Sequence, residues 1–195
     1  MAKIIDARKL TCPQPVVLTK KALESADEVT TIVDNETARE NVARLGKSEG
    51  CEVTIKSKKD GIYLTLKKAT AKASAAENAS PSATGTVLFL GSDIIGRGEN
   101  VALGNLLMQS FLHTIGGLEG RPHTILLMNN GVKLITRDSP VLGEFKQLES
   151  QGVEILACGT CLARFELTDR VAAGKVSNMY EIAGKMLQAE RVISL

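Results

Sequence analysis

Hydrophobic and polar positions along the first 70 residues change period several times, and each change predicts an element. Lys3–Asp6 is apolar at its centre and reads as a strand. From Pro13 the apolar positions return at Pro15, Leu18, Ala22 and Ala26, joined by Leu23, which is helical spacing. Val29–Val33 reads as a second strand. Ala38, Val42 and Leu45 mark a second helix, with Gly46 or Gly50 to end it. Val53 and Ile55 alternate with Thr54 and Lys56, and Ile62, Leu64 and Leu66 alternate with Tyr63, Thr65 and Lys67. Asp60-Gly61 between these runs is a hairpin signal. The order is βαβαββ, most simply a two-layer sandwich with both helices on one face of the sheet.

Residues 71–85, AKASAAENASPSATG, hold no large apolar side chain. Such a stretch buries too little surface to offset its ordering entropy, so a flexible linker is expected there. Residues 86–195 form a second pattern. Thr86–Leu90, Thr124–Met128 and Val153–Ala157 are continuous apolar runs, as in strands covered on both faces. A helix is expected from about Glu99 to Ile115, apolar round most of its circumference and therefore buried, partly by another subunit. Val141, Leu142, Phe145 and Leu148 mark an amphipathic helix. Met179, Ile182, Ala183, Met186 and Leu187 mark another, and Val192-Ile193 a last short strand. Alternating strands and helices predict a three-layer α/β/α domain with a mainly parallel sheet. The expected organisation is a domain at 1–70, a linker at 71–85 and a domain at 86–195.

Composition narrows the function. The 195 residues carry a net charge of +2 and only 3% aromatics, without Trp. Neither a cationic field nor a stacking platform points to nucleic acid. No apolar run approaches the roughly 20 residues of a membrane span. MAKIIDARKL lacks the apolar stretch of a signal peptide, so a cytoplasmic location is expected. There thiols stay reduced, and cysteines more often serve chemistry than structure.

The four cysteines are Cys12, Cys51, Cys158 and Cys161. Cys12-Pro13-Gln14-Pro15 joins the first strand to the first helix. Proline suits a helix's first turn, where amides have no intrahelical partner. Pro13 at the first helical position would place Cys12 near the N-cap, with the amides of Gln14 and Val16 free to face the sulfur. Those donors and the helix dipole favour a thiolate, able to carry sulfur or to attack a disulfide. Cys158-Gly159-Thr160-Cys161 follows the third buried strand, at the sheet edge where parallel folds bind ligands. It reads as a redox pair or as a second sulfur- or selenium-accepting site. One Cys-x-x-Cys supplies only half of zinc's usual four ligands, so no metal is expected. No cofactor is expected either. The glycine-rich loop Gly91–Gly98 lacks the nucleotide-binding fingerprints. It is expected to flank Cys158, with Arg97 attracting an anionic persulfide. Asn129-Asn130-Gly131 reads as a turn that could line the same edge. Cys51 reads as structural, and His113 as a packing residue.

These motifs carry a resemblance. Residues 1–70 resemble the TusA/SirA family of small sulfur carriers in the Cys-Pro-x-Pro motif, the βαβαββ order and the terminal hairpin. The resemblance implies that Cys12 carries a persulfide, with Pro13 and Pro15 in support. Residues 86–195 resemble DsrE-like domains, which serve sulfur relay and form oligomers. The two together, with the segments CGTCLARFEL and GKVSNMYEI, resemble the YedF family of sulfurtransferase-like proteins associated with selenium metabolism. The implied partners are a cysteine desulfurase or other persulfide donor, a downstream sulfur or selenium acceptor protein, and a second copy of the chain in a homo-oligomer. Two other readings stay open: a thiol–disulfide redox protein or sensor using Cys158 and Cys161, and a non-catalytic oligomeric binding module.

Overall fold

The computed structural model describes residues 2–68, 85–96 and 99–195. The linker expected at 71–85, apart from Gly85, and the supporting residue Arg97 lie outside the described residues. Contacts divide the chain into two compact units.

The first unit runs β1 (Lys3–Asp6), α1 (Gln14–Leu23), β2 (Glu28–Val33), α2 (Glu36–Ser48), β3 (Cys51–Lys58) and β4 (Gly61–Lys68). Its sheet order is β1-β2-β4-β3. β1 and β2 are parallel, as a helical crossover allows, and the other pairs are antiparallel. Lys58 pairs with Gly61, so the hairpin turn is Lys59-Asp60, one residue earlier than the Asp-Gly signal suggests. Val29, Val33, Leu64 and Leu66 on the inner sheet face pack against Val16, Leu23, Val42 and Leu45 of the helices. Between them lies a buried hydroxyl pair. Thr19 Oγ1 donates to the Pro15 carbonyl at 2.6 Å, which leaves Thr31 Oγ1 to donate to Thr19 Oγ1 at 2.8 Å. Gly46 does not end α2. A Cβ there would fall 2.5 Å from a Val53 methyl, so its hydrogen is what lets the helix press onto the sheet. The stop comes at Gly50, with φ +67°.

The second unit runs β5 (Thr86–Leu90), α3 (Val101–Gly117), β6 (Thr124–Leu127), a 3₁₀ helix (Asn129–Ile135), α4 (Leu142–Ser150), β7 (Glu154–Cys158), α5 (Gly159–Arg164), a short 3₁₀ turn (Thr168–Arg170), β8 (Lys175–Ser177), α6 (Met179–Gln188) and β9 (Arg191–Ser194). All five strands are parallel, in the order β8-β7-β6-β5-β9. Leu88, Leu90, Ile125, Leu126, Leu127, Ile155 and Leu156 form a core with Met108 and Leu112 of α3, Phe145 and Leu148 of α4, and Ile182 of α6.

Within the chain the burial expected for α3 covers one stripe: Gly104, Met108, Leu112, Ile115 and Gly116. Val101, Leu103, Leu106 and Leu107 are 44–58% exposed. A helix lying over a sheet turns its far side outward whatever its residues, so an all-round apolar helix here leaves an apolar outer face. His113 is not the packing residue expected; its side chain is 84% exposed, with Nδ1 3.9 Å from Glu144 Oε1. Among the described residues no helix is long and apolar enough to cross a membrane.

Candidate functional site

Cys12 is partly exposed at the approach to α1. The helix starts one residue later than expected. Pro13 occupies the N-cap and Pro15 the second helical position. The Gln14 amide does not turn to the sulfur but donates to the Thr11 carbonyl at 2.9 Å, because the chain closes a tight turn ahead of the helix. The Cys12–Pro13 peptide is cis. The polar group on the sulfur comes instead from α2: Asn41 Nδ2 donates to Cys12 Sγ at 3.8 Å. Asn41 is only 1% exposed. Arg44 Nη1 donates to Asn41 Oδ1 at 3.2 Å, and Arg44 Nη2 pairs with Glu40 Oε2 at 2.9 Å. Arg44 therefore holds the amide oxygen and leaves the NH₂ group facing the thiol.

In the second unit the sulfurs lie at the carboxyl end of the sheet. Cys158 is the last residue of β7, and Cys161 lies in the first turn of α5. Gly159 begins that helix. Cys158 is 2% exposed. Burial pushes its thiol up to about 11, against a smaller opposing pull from the Cys161 backbone amide, and the neighbouring Cys161 thiol adds to the rise. Cys161 is partly exposed. Its sulfur accepts the Asn129 backbone N–H at 3.2 Å. Asn129 has φ +48°, a left-handed conformation asparagine tolerates, and opens the 3₁₀ helix after β6. The turn-like Asn129-Asn130-Gly131 thus does line this edge, and its backbone holds a candidate sulfur.

Two family models match the chain. One is sulfurtransferase TusA over residues 3–68, the other the DsrE/DsrF-like family over residues 111–195. The chain is a fusion of a TusA-family unit with a DsrE-like unit. Among solved structures it is similar to the SirA-like protein of Desulfitobacterium hafniense, at 32% identity over 34% of this chain and 96% of that one, with a TM-score of 0.32. It is similar to the YchN protein of E. coli at 17% identity, over 57% of this chain and 99% of that one, with a TM-score of 0.41. It is also similar to the protein MTH1491 of Methanobacterium thermoautotrophicum, at 23% identity over 55% of this chain and 98% of that one, with a TM-score of 0.39. Among curated proteins there is no comparable match.

The DsrE-like unit also has an open pocket of about 360 Å³, lined in part by Asp93, Met108, Lys133, Phe165 and Arg170. Lys133 Nζ lies 5.0 Å from the centre of the Phe165 ring and 3.8 Å from Asp93 Oδ2. Arg170 pairs with Asp138. Neither cysteine of this unit lines the pocket. In the TusA-family unit, Cys51 is buried and donates to the Glu49 carbonyl at 3.8 Å, as a structural cysteine would. Burial raises its thiol too. Among the described residues no three His, Cys, Asp or Glu side chains gather as metal ligands.

Proposed function

We propose that the fusion is a cytoplasmic sulfur relay in which Cys12 takes up sulfane sulfur as a persulfide. A donor persulfide, as on a cysteine desulfurase, gives its outer sulfur to the Cys12 sulfur and leaves as a thiol. Cys12–SH becomes Cys12–S–SH. The observation that carries this reading is the approach to Cys12: a partly exposed sulfur beside a buried amide that Arg44 orients. Cys161 is the second station, reached within the chain or bypassed in favour of an external acceptor protein. It has the exposure that Cys158 lacks, and a backbone N–H already rests on its sulfur. The same steps carry selenium in the outer position.

Intact-mass analysis after incubation with a cysteine desulfurase and cysteine tests the reading, with selenocysteine as a parallel arm. Wild type is expected to gain at least one chalcogen atom and Cys12→Ser none. Equal uptake by the two proteins removes Cys12 from the carrier role. Cys161→Ser separates the stations: uptake at Cys12 persists, and sulfur no longer appears on the Gln147–Arg164 tryptic peptide.

The homo-oligomer reading rests on the outer face of α3, where Val101, Leu103, Leu106 and Leu107 form an exposed apolar stripe. A self-associating face of this kind is expected to fail when charged. Leu106→Glu lowers the sedimenting mass if α3 mediates assembly, and an unchanged mass rejects α3 as the interface.

A further inference from the structure

Cys158 is a buried nucleophile that a carrier role for Cys161 does not use. Resting on Cys161 as a sulfur station, we propose that Cys158 is a resolving thiol that converts the Cys161 persulfide into free sulfide.

Cys158 caps α5 and Cys161 is its third residue. Helix rise and radius place residues three apart about 5 Å from each other at Cα, inside the roughly 4.4–6.8 Å window for a disulfide. The Cys161 thiol is also among the groups that act on the Cys158 thiol. Cys158 sits on the backbone of β7, which is paired on both sides by β6 and β8, so its position is fixed by the sheet. With 2% of its surface exposed, it is shielded from thiols in solution. The sulfur it can reach is that of Cys161, which the Asn129 N–H holds in place.

The step balances without an outside oxidant. The Cys158 sulfur attacks the Cys161 sulfur of Cys161–S–SH. The persulfide S–S bond breaks, and its electron pair leaves with the outer sulfur as HS⁻. The Cys158 thiol proton passes to water or to the departing sulfide. A Cys158–Cys161 disulfide forms, so the outer sulfur is reduced while the Cys158 sulfur is oxidised. A small dithiol reductant returns the pair to thiols. The elevated Cys158 thiol makes the attack slow near neutral pH, leaving the persulfide time to be handed on intact. Release then becomes the default when no acceptor arrives.

The test uses the full chain carrying Cys12→Ser, loaded without oxygen by inorganic polysulfide and desalted. Sulfide is followed over time, and the protein is blocked with iodoacetamide and digested with trypsin. Both cysteines fall on the peptide Gln147–Arg164. The expected result is a loaded peptide that loses its extra sulfur and two hydrogens, with one sulfide released per disulfide. Adding Cys158→Ala is expected to leave the extra sulfur on Cys161 and cut sulfide release about tenfold or more. If the extra sulfur stays on the peptide with Cys158 intact and sulfide stays at the Cys158→Ala level, the release step is wrong while the Cys161 station stands. If no sulfur ever loads on this peptide, the station itself fails and the release step with it. The time course with Cys158 intact decides the matter even if Cys158→Ala folds poorly.

Discussion

Gly131→Ala is expected to destabilise the DsrE-like unit by about 1–3 kcal/mol, and more if the strand end cannot shift. A Cβ at Gly131 would land on the Leu90 carbonyl oxygen, with the carbonyl carbon at 3.0 Å and the Ser92 nitrogen at 3.5 Å. These are backbone atoms at the end of β5, so no side-chain rotation relieves the contact. Gly131 lies two residues beyond Asn129, whose N–H rests on Cys161. Pushing the 3₁₀ helix outward should therefore loosen Cys161 as well as the core. Gly143→Ala is the matched control: nothing lies within 4 Å of its added methyl. In the first turn of α4 that change is expected to be neutral or to stabilise by at most about 0.5–1 kcal/mol. Pulsed alkylation of Cys158 across a urea series reads the unfolding of this unit, since the thiol is exposed only when the core opens. Equal midpoints for the two variants would show that the 3₁₀ helix does not sit against Leu90.

The second large effect is the contrast among the four thiols. At pH 8 in the native state, iodoacetamide is expected to label Cys12 and Cys161 while sparing Cys158 and Cys51. Cys158 combines 2% exposure with a thiol raised to about 11. At pH 8 that leaves roughly one thiolate in a thousand. Its labelling should climb steeply toward pH 11, whereas in urea it should react like any free cysteine. The linkage has a definite sign. The folded protein keeps a proton on Cys158 to higher pH than the unfolded chain does. This group's contribution to stability is therefore whole below about pH 9 and lost as pH rises through about 11. The groups that bear on the sulfur are the Cys161 thiol and the Thr160 and Cys161 amides. Cys158→Ala should flatten the loss of stability in that window. A Cys158 that labels as fast as Cys161 at pH 8 would show that its burial is not maintained in solution.

Much of this arrangement is readable from period and spacing. The strands β1–β7 and β9 follow apolar runs long enough to mark, and Cys12 and Cys158 fall at strand-to-helix junctions because their flanking patterns change there. β8 was not legible, since its three residues, Lys175–Ser177, include a single apolar side chain. It exists because β7 offers an edge to pair with. The partner of Cys12 was missed because it is distant in sequence, though one clue was present. Asn41 falls on the apolar stripe of α2 with Ala38, Val42 and Leu45, and a polar side chain there needs a buried partner. Asn129 was harder to foresee. Its contribution is a backbone N–H, and nothing in the residue type announces where that hydrogen points. For α3, composition indicated burial, but the layer geometry decides which side faces outward.

In the TusA-family unit both helices cover the same side of the sheet. The other side carries Glu52, Thr54, Lys56, Tyr63, Thr65 and Lys67, all outside the packed core. Thr30 and Thr65 hydrogen bond across it at 3.0 Å. Alternate residues along β3 and β4 are therefore released from the volume constraints that bind their neighbours. Charge, size and shape can drift on that surface over many generations while Val29, Leu64 and Leu66 stay as they are. The unit has room to change what it meets without changing how it folds.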